Sequence, residues 1–310
     1  MLSFKPIKAN ASRHIASIED KDGNFKELIY FTELSRVDKV TGNNFEEELK
    51  QYTTPDSTIK DFHMNNDHQL TIMPSNDTKG LQRETVSVFG KSGSGKSYQI
   101  NNYIMNYHTL KPRNKIFYFS VNDIKRDESI DDATREFITQ VDLLAIDAVM
   151  DVKDFENSLV VFDDVLDVTV PIRPDLLFGE RYTLGNVTER SKMERECSKR
   201  AESIKSSLHL SVKNILNLGR KYNISCIAVY HKLRSGSEST FLVEESSSCW
   251  LYPYTATKKP LMGFLEERLS LSKEDAKEIA QEKFYQWEFL YLNNSGKLFY
   301  FTPNHFKFLD

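Results

Sequence analysis

Cysteine and long apolar runs are scarce in this chain of 310 residues. Its three cysteines, Cys197, Cys226 and Cys249, lie far apart and lack the spacing of metal ligands. We therefore expect reduced thiols in an intracellular setting. No apolar run approaches the length of a membrane span, and residues 1–5 lack the apolar region of a signal peptide. The sequence predicts a protein that is not secreted and has no membrane span.

A strong excess of one charge is also missing. A net charge of −4, with 28% charged and 39% hydrophobic residues, is typical of an ordinary soluble protein. Nucleic acid could therefore be bound only through a local basic patch. The chain has no internal repeat and no low-complexity tract, and its length suffices for one large core or two smaller ones.

One segment matches a phosphate-binding pattern at every fixed position. Residues 90–97 fit G-x-x-x-x-G-K-[ST], follow a short apolar run and open a helical pattern. The glycines let backbone N–H groups point at phosphate oxygens, and the helix N-terminus adds its positive dipole end. Lys96 would reach the β- and γ-phosphates, and Ser97 would join the Mg²⁺ shell. We predict an ATP and Mg²⁺ site formed by Gly90, Lys91, Ser92, Gly93, Ser94, Gly95, Lys96 and Ser97.

A second apolar run, at 158–162, ends in the paired carboxylates Asp163 and Asp164, which is the Walker B arrangement. Asp163 would hold Mg²⁺ together with Ser97. Asp164 stands where many ATPases place a glutamate that orients the attacking water. Its shorter reach leaves open whether it serves as the general base.

A third apolar run, at 224–230, ends at His231. In ATPases with an extra strand between the P-loop and Walker B strands, this strand tip lies beside the γ-phosphate. His231 would there sense phosphate or position water. A structural histidine is an equally weighted interpretation.

From residue 84 onward, short apolar runs alternate with helical patterns. This predicts an α/β fold with a mostly parallel sheet flanked by helices, of the P-loop NTPase (RecA/ASCE-like) class. The predicted strands are 85–89, 115–120, 141–146, 158–162, 224–230 and 248–252. The predicted helices are 95–109, 131–139 and about 188–221.

The two ends of the chain differ from this core. We predict an N-terminal region at 1–83 with a β-hairpin, whose strands at 13–18 and 25–31 flank a turn, and an irregular stretch at 41–80. The ATPase core would span 84–256. The last part, 257–310, would pack a helix starting at Ser272 and a second hairpin, 287–292 with 297–301, on that core.

Four segments of this chain resemble the genome-packaging ATPases of large double-stranded DNA viruses. They are the phosphate-binding segment 90–97 (the P-loop), the Walker B segment, and the segments 219–225 and 231–233. This poxvirus-type family lies in the FtsK/HerA superfamily, and the resemblance spans roughly residues 84–302. It implies a homo-oligomeric ring, pentamer or hexamer, that threads double-stranded DNA into a capsid. The implied partner is a capsid or portal vertex component, and the implied location is the host cytoplasm or the virion. His231 and Lys221 depart from the pattern, because relatives often carry glutamine and histidine there.

A ring motor needs a cation from the neighbouring subunit to neutralise the transition state. Arg220 and Arg234 are the candidates, and Arg220 is preferred because it lies in a segment that matches the family. A plain surface arginine is the alternative for each.

A local excess of basic residues lies between 189 and 221. The resemblance favours a DNA-facing element there, although a solvated helix face fits the pattern equally well. The basic residues are Arg190, Lys192, Arg195, Lys199, Arg200, Lys205, Lys213, Arg220 and Lys221.

Two other functions share the P-loop. A small-molecule or nucleotide kinase would normally have an arginine-rich lid, which we do not find. A nucleotide-gated assembly protein that hydrolyses ATP slowly would fit if Asp164 were a poor base. A GTPase and an ABC transporter ATPase are disfavoured, because the Asn-Lys-x-Asp and Leu-Ser-Gly-Gly segments are missing.

Overall fold

The computed structural model describes residues 2–3, 12–20, 25–32, 61–63, 68–72, 74, 83–166, 171–233, 237–293 and 298–309. The strands of this part are β1 (Leu2–Ser3), β2 (Ser12–Asp20), β3 (Phe25–Thr32), β4 (Asp61–His63), β5 (His68–Ile72), β6 (Thr85–Gly90), β7 (Lys115–Ser120), β8 (Ile138–Gln140), β9 (Ser158–Asp163), β10 (Ser225–Tyr230), β11 (Ser248–Tyr252), β12 (Phe289–Asn293), β13 (Leu298–Thr302) and β14 (His305–Leu309). The helices are α1 (Lys96–Leu110), α2 (Asp132–Arg135), α3 (Pro174–Phe178), α4 (Glu180–Leu184), α5 (Val187–Leu218), α6 (Ser237–Glu245), α7 (Lys258–Glu267) and α8 (Lys273–Gln281).

A ten-stranded sheet forms the centre of the fold, in the order β4-β14-β13-β12-β11-β6-β10-β9-β7-β8. The strands from β11 to β8 pair in parallel, and those from β11 to β4 pair antiparallel. Strands β6, β9 and β10 are buried along their whole length. Their short apolar runs suit strands that are covered on both faces. The predicted α/β class with a mostly parallel, helix-flanked sheet is therefore confirmed.

Each face of the sheet carries its own hydrophobic cluster. On one face, α1 contributes Ile100, Tyr103, Ile104 and Tyr107. Strands β2, β3 and β5 of the small sheet β1-β3-β2-β5 add apolar side chains to the same cluster. On the other face, α5 packs Ile204, Leu208, Val212 and Ile215, which repeat at helical spacing. Helices α7 and α8 complete that face.

The predicted strands and helices agree with the structure except in four places, and the sequence pattern also did not indicate β1 or the helices α3, α4, α6 and α7. The predicted strand at 141–146 is wrong, because the Asp142 side chain accepts a hydrogen bond from Leu144 N and starts a 3₁₀ turn at Leu143–Ala145. The predicted helix at 131–139 ends at Arg135. The residues Ile138–Gln140 form β8 instead, beside β7.

The other two differences concern the ends of the chain. The stretch at 41–80 was expected to be irregular, but β4 and β5 lie within it, and its remaining residues except Pro74 lie outside the described part. Both hairpins are present as β2–β3 and β12–β13, and the sequence pattern missed a further strand, β14. The turns 21–24 and 294–297 also lie outside the described part.

Strand β4 connects the N-terminal part of the chain to the last strand of the main sheet. Asp61, His63 and His305 form a cluster there, with His305 Nε2 2.7 Å from Asp61 Oδ1. Leu70 N also donates to Pro303 O at 2.6 Å. The division into 1–83, 84–256 and 257–310 stays a prediction. Within the described residues, no helix combines the length and apolar character that crossing a membrane requires.

Candidate functional site

The phosphate-binding loop lies between β6 and α1, and close packing requires glycine at two of its positions, Gly90 and Gly95. A Cβ on Gly90 would lie 2.6 Å from Tyr252 Cβ on the adjacent β11. At Gly95, the N-cap of α1, φ is +101°, and a Cβ would lie 2.8 Å from Trp287 Cε3. Side chains are rarely compatible with such a φ and have no room here. The loop therefore leads directly into the N-terminus of α1, whose first N–H groups are not used by the helix itself and are suited to an anion.

Lys96 is buried and held against the loop. Its Nζ donates to Gly90 O at 2.8 Å and to Lys91 O at 2.9 Å, and lies 3.4 Å from His231 Nδ1. The ammonium is thus fixed between the end of β6 and the tip of β10. Ser97 follows it on the first turn of α1 and is partly exposed.

Asp163 is the last residue of β9 and is buried. Tyr118 on the neighbouring β7 donates its hydroxyl to Asp163 Oδ2 at 2.7 Å. Burial, and then the charge of Asp164, raise the pKa of Asp163 to about 6. Within the described residues, Asp163 Oδ1 and Ser94 Oγ are buried without a hydrogen-bond partner. Such buried polar atoms are costly unless a ligand uses them.

Asp164 lies just beyond β9 with a φ of +59°. A non-glycine residue in this region is strained, and such strain is concentrated at functional sites. Its Oδ1 lies 2.7 Å from His231 Nε2, while His231 Nδ1 lies 3.2 Å from Gly90 O. The hydrogen bond to Asp164 raises the pKa of His231. His231 therefore bridges the carboxylate pair and the phosphate-binding loop.

Four of the predicted residues meet at one edge of the sheet: Lys96, Asp163, Asp164 and His231. They come from the carboxyl ends of β6, β9 and β10, which are neighbours in the order β6-β10-β9. This edge is where open α/β sheets bind ligands. The donor set fits a magnesium nucleotide. Asp163 Oδ1, which has no hydrogen-bond partner among the described residues, and the hydroxyl of Ser97, the residue after Lys96, are oxygen ligands of the kind that Mg²⁺ takes. The ammonium and the helix N-terminus suit phosphate.

Sequence reasoning missed several contributors to the site. Tyr118 holds Asp163, and no local sequence pattern indicated this, because the pattern does not show that β7 lies beside β9. Gln286 Nε2 donates to Gly93 O at 3.0 Å, and Trp287 N donates to Ser94 O at 3.1 Å. Nothing in the sequence pattern indicated that residues 286 and 287 reach the loop, because they are distant in the chain.

The structure does not bring Arg220 to this edge. Arg220 is exposed in the 3₁₀ turn Gly219–Tyr222, which precedes β10, whereas His231 follows it. Because β10 has six residues, the two ends are roughly 20 Å apart. Arg220 therefore does not reach the nucleotide-binding edge of its own chain. Arg234 lies outside the described residues.

The basic residues of α5 are mostly on its exposed side. Glutamates alternate with them there, and some of the arginines already bond protein carbonyl groups. Arg190 donates to Tyr182 O and Thr183 O, and Arg200 donates to Leu144 O. The remaining cations leave a mixed-charge surface that could contact phosphates without reading sequence.

Two features identify the fold: parallel strands flanked by helices, and the loop at 90–97 that joins β6 to α1. The chain has the fold of a P-loop NTPase.

Comparison with known proteins gives distant similarities. No protein-family model matches the chain. The uncharacterized protein V3 of Sputnik virophage is 37% identical over 86 residues, which cover 27% of this chain and 33% of that protein.

The structure is similar to solved structures of three kinds of protein. The genome packaging NTPase B204 of Sulfolobus turreted icosahedral virus 2, in complex with ATP-gammaS, is 12% identical, with a TM-score of 0.44 over 72% of this chain and 98% of that chain. The pCW3 conjugation coupling protein TcpA is 13% identical, with a TM-score of 0.40 over 95% of this chain and 77% of its own. The cytoplasmic domain of the type VII secretion ATPase EccC of Thermomonospora curvata is 12% identical, with a TM-score of 0.43 over 97% of this chain and 29% of its own.

Proposed function

We propose that this P-loop NTPase is an ATP-hydrolysing motor that moves double-stranded DNA, and that it packages a viral genome into a capsid. The observation that carries the proposal is the meeting of Lys96, the Asp163–Asp164 pair and His231 at one sheet edge. This is the set of groups that a magnesium-dependent triphosphatase requires. The motor part of the proposal rests on the sequence resemblance of the same segments.

Each residue of the site has a defined task in this proposal. The loop at 90–97 and Lys96 bind the phosphates, while Ser97 and Asp163 hold Mg²⁺, which neutralises charge on the phosphate oxygens. Asp164 orients the attacking water and accepts its proton. His231 is hydrogen-bonded to Asp164. It positions the Asp164 carboxylate and detects the terminal phosphate. Arg220 of a neighbouring subunit provides a second cation for the transition state.

The surface supports assembly into a ring. Leu176, Leu184 and Val187 are large apolar side chains that are exposed on α3, α4 and the start of α5. Neighbouring exposed apolar side chains of this kind mark interaction sites. We propose a homo-oligomeric ring, a capsid or portal vertex component as partner, and action in the host cytoplasm or the virion.

A Lys96→Ala variant tests the site. Because Lys96 is the ammonium that reaches the phosphates, we expect ATP turnover to be lost while the circular dichroism spectrum and melting temperature stay close to those of the parent. Steady-state phosphate release at saturating MgATP measures this. Turnover of the variant at the parental rate would show that the nucleotide is hydrolysed elsewhere.

Duplex DNA tests the motor. We expect duplex DNA to raise the ATPase rate of the parent several-fold, since a translocase couples turnover to its track. The Lys96→Ala variant provides the matched control, because its DNA-facing surface is unchanged. An ATPase rate that is insensitive to DNA contradicts the motor. Release of ADP that depends on a small-molecule acceptor would instead identify a kinase.

A further inference from the structure

The segment Tyr285–Glu288 reaches the phosphate-binding loop from the C-terminal part of the chain. It forms a turn in which Tyr285 N donates to Glu288 Oε2 at 2.8 Å. Phe289, the next residue, is buried and stacks on Tyr252, with ring centroids 4.8 Å apart. The segment is therefore anchored in the core directly beside the loop.

Trp287 contacts the loop through both its backbone and its ring. Its N–H donates to Ser94 O, and its indole lies against Gly95. Its ring meets the ring of Tyr98 edge-on, with centroids 4.9 Å apart. These contacts lie at the end of the loop that begins α1. His231 and Asp164 lie at the other end, beside Gly90.

The backbone of Trp287 is strained. Its φ is +76°, a region that bulky side chains rarely adopt. The ring nevertheless stays 39% exposed, whereas the other tryptophan of the chain, Trp250, is fully buried. Holding a large apolar ring at the surface in a strained conformation is a feature of ligand sites.

A nucleoside triphosphate would bind this loop in one defined orientation. Its terminal phosphate would lie toward Asp164 and His231, and the loop N–H groups would hold the α- and β-phosphates. The nucleoside would therefore emerge at the end of the loop that Trp287 covers. We propose that the indole of Trp287 stacks on the nucleobase of the bound nucleoside triphosphate, with Tyr98 supporting the indole at its edge. This inference rests on the proposed nucleotide site.

Affinities of two ligands test the stacking. Tripolyphosphate has the phosphates of ATP without the base, and AMPPNP has both. We expect Trp287→Leu to weaken binding of Mg-AMPPNP by roughly tenfold, because base–aromatic stacking is lost. Binding of Mg-tripolyphosphate should be unchanged, since leucine still covers Gly95. Trp287→Phe, which keeps an aromatic face, should recover most of the loss. Isothermal titration calorimetry measures all of these affinities.

Two control variants sharpen the test. Tyr285→Ala removes another exposed aromatic ring of the same turn, one that packs against Lys283 Nζ at 4.9 Å, and it should bind Mg-AMPPNP like the parent. Trp250→Phe leaves Trp287 as the only tryptophan. In that variant we expect Mg-AMPPNP to change the indole emission more than Mg-tripolyphosphate does.

The outcomes separate this inference from the proposed function. Equal losses for both ligands in Trp287→Leu would show that Trp287 only shapes the loop. Unchanged affinity for Mg-AMPPNP would show that it does not touch the ligand. Either result overturns the stacking and leaves the nucleotide site intact. A parent that binds neither ligand would overturn the nucleotide site itself.

Discussion

At the scale of single residues, Asp163 serves the proposed metal site but lowers the stability of the fold. The carboxyl is buried beside Asp164, and the pKa of Asp163 is raised to about 6 from an ordinary value of 3.8. The folded chain therefore binds this proton more tightly than the unfolded chain. The corresponding stability is fully present below about pH 4 and is lost as the pH rises through 6. At neutral pH the bare carboxylate destabilises the fold, unless a cation is bound.

An Asp163→Asn variant should remove the destabilisation that the ionised carboxylate causes. Without metal at pH 7, we expect its free energy of unfolding to exceed that of the parent, by at most about 3 kcal/mol for a shift of this size. Tyr118 can still donate to the asparagine oxygen, and ATP turnover should be lost. Thermal melts in EDTA from pH 4 to pH 8 measure the difference, which should grow with pH. Asp147→Asn, at an exposed aspartate, is the matched control. A variant no more stable than the parent at pH 7 would contradict the proposed cost.

The sequence predicted which charged groups form the site, but not which of them are hydrogen-bonded to one another. Residues 90–97 and the pair Asp163–Asp164 could be found because each is contiguous in the chain. The bridge from His231 to both of them depends on strand order, which joins β6, β10 and β9. Tyr118 and Trp287 could not be assigned, since no local pattern records which strand or turn lies beside a loop.

At the scale of elements, Arg83 links the end of α5 to the start of β6. One guanidinium nitrogen of Arg83 donates to Ile215 O at 2.8 Å and to Leu216 O at 2.7 Å. These carbonyl groups belong to the last turn of α5, where carbonyl groups run short of partners within the helix. Ile215 O also accepts from the backbone N–H of Gly219 at the C-cap. A cation there also interacts favourably with the helix dipole. Arg83 thereby fixes the long helix against the strand that leads into the phosphate-binding loop.

Replacing Arg83 by methionine should destabilise the whole chain. The methionine keeps an unbranched apolar side chain but leaves two carbonyl groups without a charged donor, which costs about 2–3 kcal/mol. Chemical denaturation, followed by circular dichroism, measures this loss. Lys221→Met, at an exposed cation just beyond the same helix, should change stability much less. Equal effects of the two substitutions would mean that Arg83 acts only as a surface charge.

Element prediction from the sequence succeeded where burial on both faces gave continuous apolar runs, as in β6, β9 and β10. It failed at 141–146, where the capping side chain of Asp142 overrides the apolar pattern of the following residues. It also failed for β4, whose three residues form a strand only because β14 lies beside them. Pairing with a distant strand leaves no periodic signal in such a short segment.

At the scale of the whole molecule, the proposed ring places Arg220 of one subunit at the nucleotide site of the next. Arg220 is at the amino end of β10, on the opposite edge of the sheet from His231. One subunit therefore cannot bring both to the same phosphate. In a closed ring, each subunit contacts the next through a different face on each side. The face that carries the nucleotide site of one subunit then lies against the face of its neighbour that carries Arg220. Arg220 can reach a nucleotide only in that arrangement.

Mixing two inactive variants tests whether Arg220 acts across this boundary. Arg220→Ala keeps an intact nucleotide site but should lose on the order of 10³-fold in rate, as removal of a trans-acting arginine does in other NTPases. Lys96→Ala keeps Arg220 but cannot turn over ATP. In a mixture, an intact site can face an intact Arg220 from the neighbouring subunit, so phosphate release should exceed that of either variant alone. A Lys96→Ala, Arg220→Ala double variant, mixed in the same way, should give no recovery. Full activity of Arg220→Ala on its own would exclude this arginine, because the transition-state charge would then be neutralised by another group.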